Sequence, residues 1–318
     1  MIPLYHRFRE FGGWHLVVAY IRMGLFWKCF TLATKVLIGR IKPMDAYHTL
    51  LYYVEEKLRE EFEPLMLQKE KEYGDVRSKN ETVRSNYVWT CWLQGMDNAP
   101  NLVKVCYASM REYLKDREIV LLTKDNIEDY VSLPDIIEEK HKKGIVSDAH
   151  YTDLLRLQLL IEYGGTWIDS TVLCTGENCP TDLFDCDLFV FQQLKKGEYV
   201  FRGISNWFIT SCSNNRVIMV LRDMLLEYWK RYNCVVDYFI FHLFFSMLME
   251  HHPDVAKAMP RHGNRIPHYL SKRMADKYDD VWMQSLKQHS CFHKLSHRMD
   301  KQAFNEGSFY DVVVKNAQ

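Results

Sequence analysis

The run 88–93 (Val-Trp-Thr-Cys-Trp-Leu) is apolar, β-prone and short, and 94–100 (Gln-Gly-Met-Asp-Asn-Ala-Pro) has turn chemistry. Together they predict a strand and a loop. Over 102–114 the apolar positions Leu102, Val105, Cys106, Met110 and Tyr113 fall at helical spacing, and 118–123 (Glu-Ile-Val-Leu-Leu-Thr) reads as a buried strand. Strand, helix and strand with short connections make a βαβ unit, which implies a parallel sheet with a site at the carboxyl ends of its strands. The loops after Leu93 and Thr123 are expected to face that site. A long helix is predicted over 147–163, with Ser147 as its N-cap, Asp148 in its first turn and Gly164-Gly165 as its stop. Strands over 166–173, 188–192 and 207–211 and helices over 216–231 and 238–249 complete the pattern. The body, 81–318, is therefore α/β, with strands spaced for a doubly wound sheet.

The first 80 residues follow a different pattern, a helical appendage. From 11 to 43 there is no acidic residue, while Arg22, Lys28, Lys35, Arg40 and Lys42 punctuate a run rich in Leu, Val, Ile, Phe and Trp. The longest stretch free of Lys and Arg, 11–21, is shorter than the roughly 20 apolar residues that a bilayer core needs. The segment is expected to be a helix in the headgroup layer of an anionic membrane, with Trp14, Phe26, Trp27 and Phe30 as anchors, or a helix packed on the body with its bases solvated. Over 45–73 the balance turns acidic, and Leu50, Val54, Leu58 and Phe62 form an apolar stripe at i, i+4 spacing on a solvated helix that Pro64 is expected to bend or interrupt. The polar stretch 74–80 is the expected boundary between the two regions.

Composition narrows the function classes. With 47% hydrophobic and 14% aromatic residues in 318, wholesale disorder is excluded. Forty-one Lys and Arg balance 41 Asp and Glu, so no global field draws nucleic acid to the chain. Nine scattered cysteines, an odd number, fit reduced thiols in the cytosol, and Cys174, Cys179 and Cys186 lack zinc-ligand spacing.

The segment 151–171 carries the most chemistry. Asp153 and Arg156 stand three apart on one helix face, which makes them either a surface ion pair or a recognition pair. Asp169 follows in an apolar strand, where a carboxylate is costly unless it lies at the strand's end beside a cation or hydroxyls. The pattern Asp-x2-Arg-x7-Gly-Gly-x3-Asp, filled by Asp153, Arg156, Gly164, Gly165 and Asp169, resembles the nucleotide-sugar motif of glycosyltransferase family 32 and the related capsular polysaccharide synthesis proteins. The strand and turn at 88–95, the strand 206–209, the segment 238–242 (Tyr-Phe-Ile-Phe-His) and 293–295 (His-Lys-Leu) resemble the capsular group as well.

That resemblance, over about 86–296, implies a GT-A fold: a Rossmann-like, mostly parallel sheet with flanking helices that binds a uridine diphosphate sugar and transfers the sugar with retention. On this reading Asp153 and Arg156 hold the donor hexose, since a carboxylate accepts from vicinal hydroxyls and a guanidinium donates in a fixed fork. Asp169 meets ribose or sugar hydroxyls and a divalent Mn2+ or Mg2+, and the nucleotide falls to Trp89, Trp92, Gln94 and Lys294, with a tryptophan on uracil. The wider family has Asp-x-Asp here, whereas this chain has Asp169-Ser170-Thr171, so a neutral hydroxyl replaces a metal-binding charge. His293 is the expected compensating ligand, giving Asp169, Thr171 and His293 as the metal set. Asp237 and His242 are acceptor-side candidates, although a helix cap and a core histidine are the simpler readings. The implied function is hexose transfer onto a lipid-linked oligosaccharide at the cytosolic membrane face, with 11–43 as a peripheral anchor. The alternative is a non-catalytic nucleotide-sugar or glycan-binding protein with a degenerate Asp-x-Asp.

Overall fold

The computed structural model describes residues 13–76, 82–176, 179–195, 198–200, 204–298 and 304–315. Phe11 and Gly12 of the expected anchor and 77–80 of the expected boundary lie outside the described residues. The chain divides into two compact units, each drawn from three segments: 1–80, 133–157 and 216–252 form one, and 81–132, 158–215 and 253–318 the other. The crossing at 80/81 coincides with the change in sequence pattern. The others are made by tertiary packing, which composition does not report.

The first unit is helical. It holds α1 (Trp14–Arg22), α2 (Phe26–Leu37), α3 (Pro43–Val76), α5 (Asp135–Lys142), the first turns of α6 (Asp148–Tyr163), α7 (Arg216–Arg231) and α8 (Ile240–His251). Val54, Leu58, Phe62 and Met66, four apart on α3, are fully buried, and Phe62 packs 4.8 Å from Phe244 of α8 and 6.2 Å from Tyr228 of α7. Arg59 forks onto Glu250, and Arg231 pairs with Glu61. Of the bend or interruption expected at Pro64, the interruption does not occur. The helix runs unbroken through it, because Phe62 and Met66 on either side are locked in the core, which offsets the roughly 3 kcal/mol that an interior proline costs. Ser147 Oγ accepts from the His150 amide at 3.4 Å, the expected N-cap of α6.

The second unit carries the sheet, in the order β2-β1-β3-β8-β5, with β1 (Tyr87–Cys91), β2 (Glu118–Leu122), β3 (Gly165–Ile168), β5 (Leu188–Val190) and β8 (Phe208–Ser211). β1 lies parallel to β2 and β3, with α4 (Asn101–Tyr113) as the crossover, and β8 alone runs against its neighbours β3 and β5. The mostly parallel α/β sheet with flanking helices is thus present. Val88, Ile168, Phe189, Phe208 and Phe292 form its core, and a second cluster gathers Leu102, Leu173, Leu270, Met283 and Phe309. β6 (Gln193–Lys195) and β7 (Glu198–Val200) make a separate hairpin.

One expected strand is two. The run 166–173 breaks after Ile168, and β4 (Val172–Cys174) leaves for a small antiparallel sheet with β9 (Phe292–Lys294), so that Asp169, Ser170 and Thr171 form the turn between the two sheets. The carboxylate is the reason: continuing the strand would carry Asp169 into the apolar core, whereas a break puts it at the strand's carboxyl end.

Candidate functional site

Asp169 is fixed from all sides. Its backbone N–H donates to Trp207 O at 2.9 Å, and its carbonyl accepts from Val172 N at 2.9 Å. Its carboxylate accepts from Trp167 Nε1 at 2.8 Å and from Lys294 Nζ at 2.8 Å. The ammonium of Lys294 donates in addition to Thr171 Oγ1 at 2.6 Å. Asp169 and Lys294 are about a quarter exposed at the side chain, and Thr171 is buried. The β4–β9 register opposes Val172 to Lys294, and Leu295 N donates to Thr171 O at 2.9 Å, so the lysine reaches the turn because β9 pairs beside it.

The three parallel strands put their following loops at one edge. Trp92 N bonds Leu122 O at 3.0 Å and Lys124 N bonds Leu93 O at 3.1 Å, tying the loops after β1 and β2 together. Trp92, partly exposed, stands edge-on to His297 at 5.3 Å, and Trp207 edge-on to His268 at 5.8 Å. Both histidines are held below the ordinary imidazole value. Burial is the first cause for each, and the Lys294 charge acts on both, with Arg298 also on His297 and Lys272 on His268. The indole Nε1 atoms of Trp92 and Trp207 are buried without an acceptor among protein atoms. Lys294 thus gives this edge a cation, with N–H donors on Asp169 and Thr171.

The other expected site residues are placed as follows. Trp89 is fully buried, donates Nε1 to Gly164 O at 2.9 Å and packs on Tyr87, Tyr130 and Tyr163, a core position. Gln94 is exposed in the loop after β1. His293, next to Lys294 on β9, points to the opposite face, as strand alternation requires. It is fully buried, with Nε2 2.9 Å from Thr175 Oγ1, and burial, then the Lys287 charge, pulls its pKa down to about 4. It joins neither Asp169 nor Thr171. In the helical unit, Asp153 and Arg156 are buried and paired, with Oδ1 and Nη1 3.3 Å apart, and Arg156 Nε donates to Thr152 O at 3.1 Å. Asp237 accepts from the Phe239 amide at 2.8 Å, closing the turn before α8, and His242 is partly exposed on α8 beside Phe239 and Phe241.

The donor set at Asp169 does not suit Mn2+ or Mg2+. It offers one carboxylate already paired with an ammonium and one neutral hydroxyl, while His293 is engaged elsewhere. Among the described residues no three His, Cys, Asp or Glu side chains converge. Two surface cavities of the same unit, of about 460 and 360 Å³, are not lined by Asp169, Thr171 or Lys294.

Trp167 and His268 escaped the sequence reading. Trp167 was within reach of it, since i and i+2 share a strand face; His268, 99 positions beyond Asp169, sends no local signal.

Sheet order and site together define an α/β protein with a lysine–aspartate pair at the carboxyl edge of its central strand. Residues 43–313 match the sequence profile of the family described as capsular polysaccharide synthesis protein. The chain belongs to that family. Among solved structures it is similar to one described as PaToxG Glycosyltransferase, at 12% identity, covering 75% of this chain and 86% of that one, with a TM-score of 0.36. No curated protein matches the chain.

Proposed function

We propose that this protein is a glycosyltransferase of polysaccharide assembly that takes a hexose from a uridine diphosphate sugar and passes it, with retention, to a lipid-linked oligosaccharide. Membership of the capsular polysaccharide synthesis family supports the reaction class. The observation that carries the reading is Lys294, held by Asp169 and Thr171 at the carboxyl end of the central strand, with one of its three N–H donors left for a ligand. A leaving diphosphate needs positive charge as the glycosidic bond breaks, and a preorganised ammonium supplies it without rearrangement. Asp169 orients that ammonium, and a carboxylate is the acceptor that ribose or sugar hydroxyls call for. Trp92, at the loop after β1, offers a ring for uracil. Asp153 and Arg156 keep the role the motif implies, in holding the hexose. The donor set gives no step to a divalent ion.

Incubation of the purified protein with a panel of uridine diphosphate sugars, followed by measurement of released uridine diphosphate, tests the reading. Turnover of at least one donor, lost in Asp169→Ala and reduced in Asp153→Asn, supports it. Binding without turnover would favour the nucleotide-sugar-binding alternative, to which Thr171 in place of a second Asp also points, and neither binding nor turnover would remove both.

A further inference from the structure

The helices at the start of the described chain carry two apolar faces where a packed helix needs one. On α2, Cys29, Leu32 and Val36 are half-buried toward the protein, while Phe26, Phe30 and Leu37, at i, i+4 and i+11, are exposed with Trp27 beside them. Leu37 is 84% and Trp27 72% exposed. On α1 the same device recurs. Ala19 is buried, and Trp14, Val18 and Ile21, at i, i+4 and i+7, form an exposed stripe. Ten of the 17 exposed large hydrophobic side chains among the described residues fall between Trp14 and Tyr47. Scattered exposed apolar residues are ordinary in a folded protein, but a contiguous concentration marks an interaction surface.

Charge identifies what covers it. Between Phe11 and Met44 there is no Asp or Glu, and Arg22, Lys28, Lys35, Arg40 and Lys42 lie among the exposed apolar residues. On α2, Lys28 and Lys35 are seven apart and so share a side of the helix, but one turned away from Phe26, Phe30 and Leu37, with Lys28 Nζ 3.4 Å from the centre of the Tyr53 ring. Arg40 and Lys42 are exposed in the turn that follows Leu37 and Ile38. Exposed tryptophan and phenylalanine flanked by bases, without acids, match the interface of an anionic bilayer, where rings sit at headgroup depth and ammonium groups meet phosphates. No single helix among the described residues is long and apolar enough to cross a membrane; α1 and α2 pass that test only as a pair, and they are bent by 119°. The 12 residues of α2 span roughly 18 Å at 1.5 Å per residue, against about 30 Å of hydrocarbon. The break is held in place, because Met23 and Leu25 on either side of Gly24 are buried.

We infer that α1 and α2 form a bent wedge that seats in one leaflet of an anionic membrane, with the exposed faces of both helices in the lipid interface. The inference does not depend on the chemistry at Asp169. Sedimentation of the full chain with vesicles tests it. The protein should pellet with vesicles of phosphatidylcholine and phosphatidylglycerol. At least tenfold less should pellet with phosphatidylcholine alone, or when Trp27→Ser/Phe30→Ser or Lys35→Gln/Arg40→Gln/Lys42→Gln is introduced. Vesicles with bromine-labelled acyl chains should also quench tryptophan fluorescence in the unaltered protein, a readout that needs no variant. Equal pelleting of the Trp27/Phe30 variant, absence of quenching, or a concentration-dependent dimer that this variant dissociates would overturn the inference.

Discussion

At Asp169 a short sequence pattern and its three-dimensional setting meet in one side chain. The sequence marks it as a carboxylate in apolar company, and the fold resolves that conflict with the Trp167 indole and the Lys294 ammonium. His293 and Lys294 are adjacent, so their separate fates follow from strand alternation alone, once β9 is known to be a strand. Three residues are too few for a hydrophobic period, which is why the sequence does not announce that strand. Burial of a neutral His293 has a measurable consequence. Its folded pKa, about 4, is below the ordinary 6.5, so the unfolded state binds more protons between those values and stability falls as pH drops through that window. The loss should reach about 3 kcal/mol near pH 4. Denaturant unfolding at pH 7 and pH 4.5 checks this: His293→Gln should show a smaller difference between the two than the unaltered protein, and an equal difference would place the pH dependence elsewhere.

At the scale of elements, the glycine pair between α6 and β3 has a structural reason independent of any ligand. Gly164 and Gly165 have φ of 68° and 93°. A Cβ at Gly164 would stand 2.8 Å from Val83 O, and one at Gly165 2.5 Å from Tyr87 O. Backbone packs on backbone there, so no neighbour can yield. Gly165→Ala is expected to cost on the order of 3 kcal/mol and to lower the thermal midpoint by several degrees. A midpoint within a degree of the unaltered protein would show that the turn relaxes freely. The helix stop was readable from the Gly-Gly pair; the close approach of β1 was not, because Tyr87 is remote in sequence. The βαβ start, the N-cap and the stripe on α3 were readable for the same reason, being local and periodic. The break of the predicted strand 166–173 into β3 and β4 and the uninterrupted course of α3 through Pro64 were not, since long-range packing decides both.

Over the whole molecule, zero formal charge is a sum of unlike parts. A base-rich, acid-free start, an acidic α3 and a mixed body cancel on paper, yet each presents its own surface chemistry. Neutrality argues against nucleic acid as substrate and leaves an anionic membrane open, because the bases that would meet it are concentrated in α1, α2 and the turn after them. The nine cysteines are free thiols, as their odd number and scatter suggest. Family membership sets the process, polysaccharide synthesis, and the ligand we propose for Lys294 is an anion. The most direct test is equilibrium binding of uridine diphosphate in buffer with excess EDTA, comparing the unaltered protein with a folded Lys294→Ala variant. Binding that persists in EDTA and weakens by about a hundredfold in the variant is the expected result, the loss of one preorganised charge at a phosphate. Binding that requires Mn2+, or that is unchanged without the Lys294 ammonium, would contradict it.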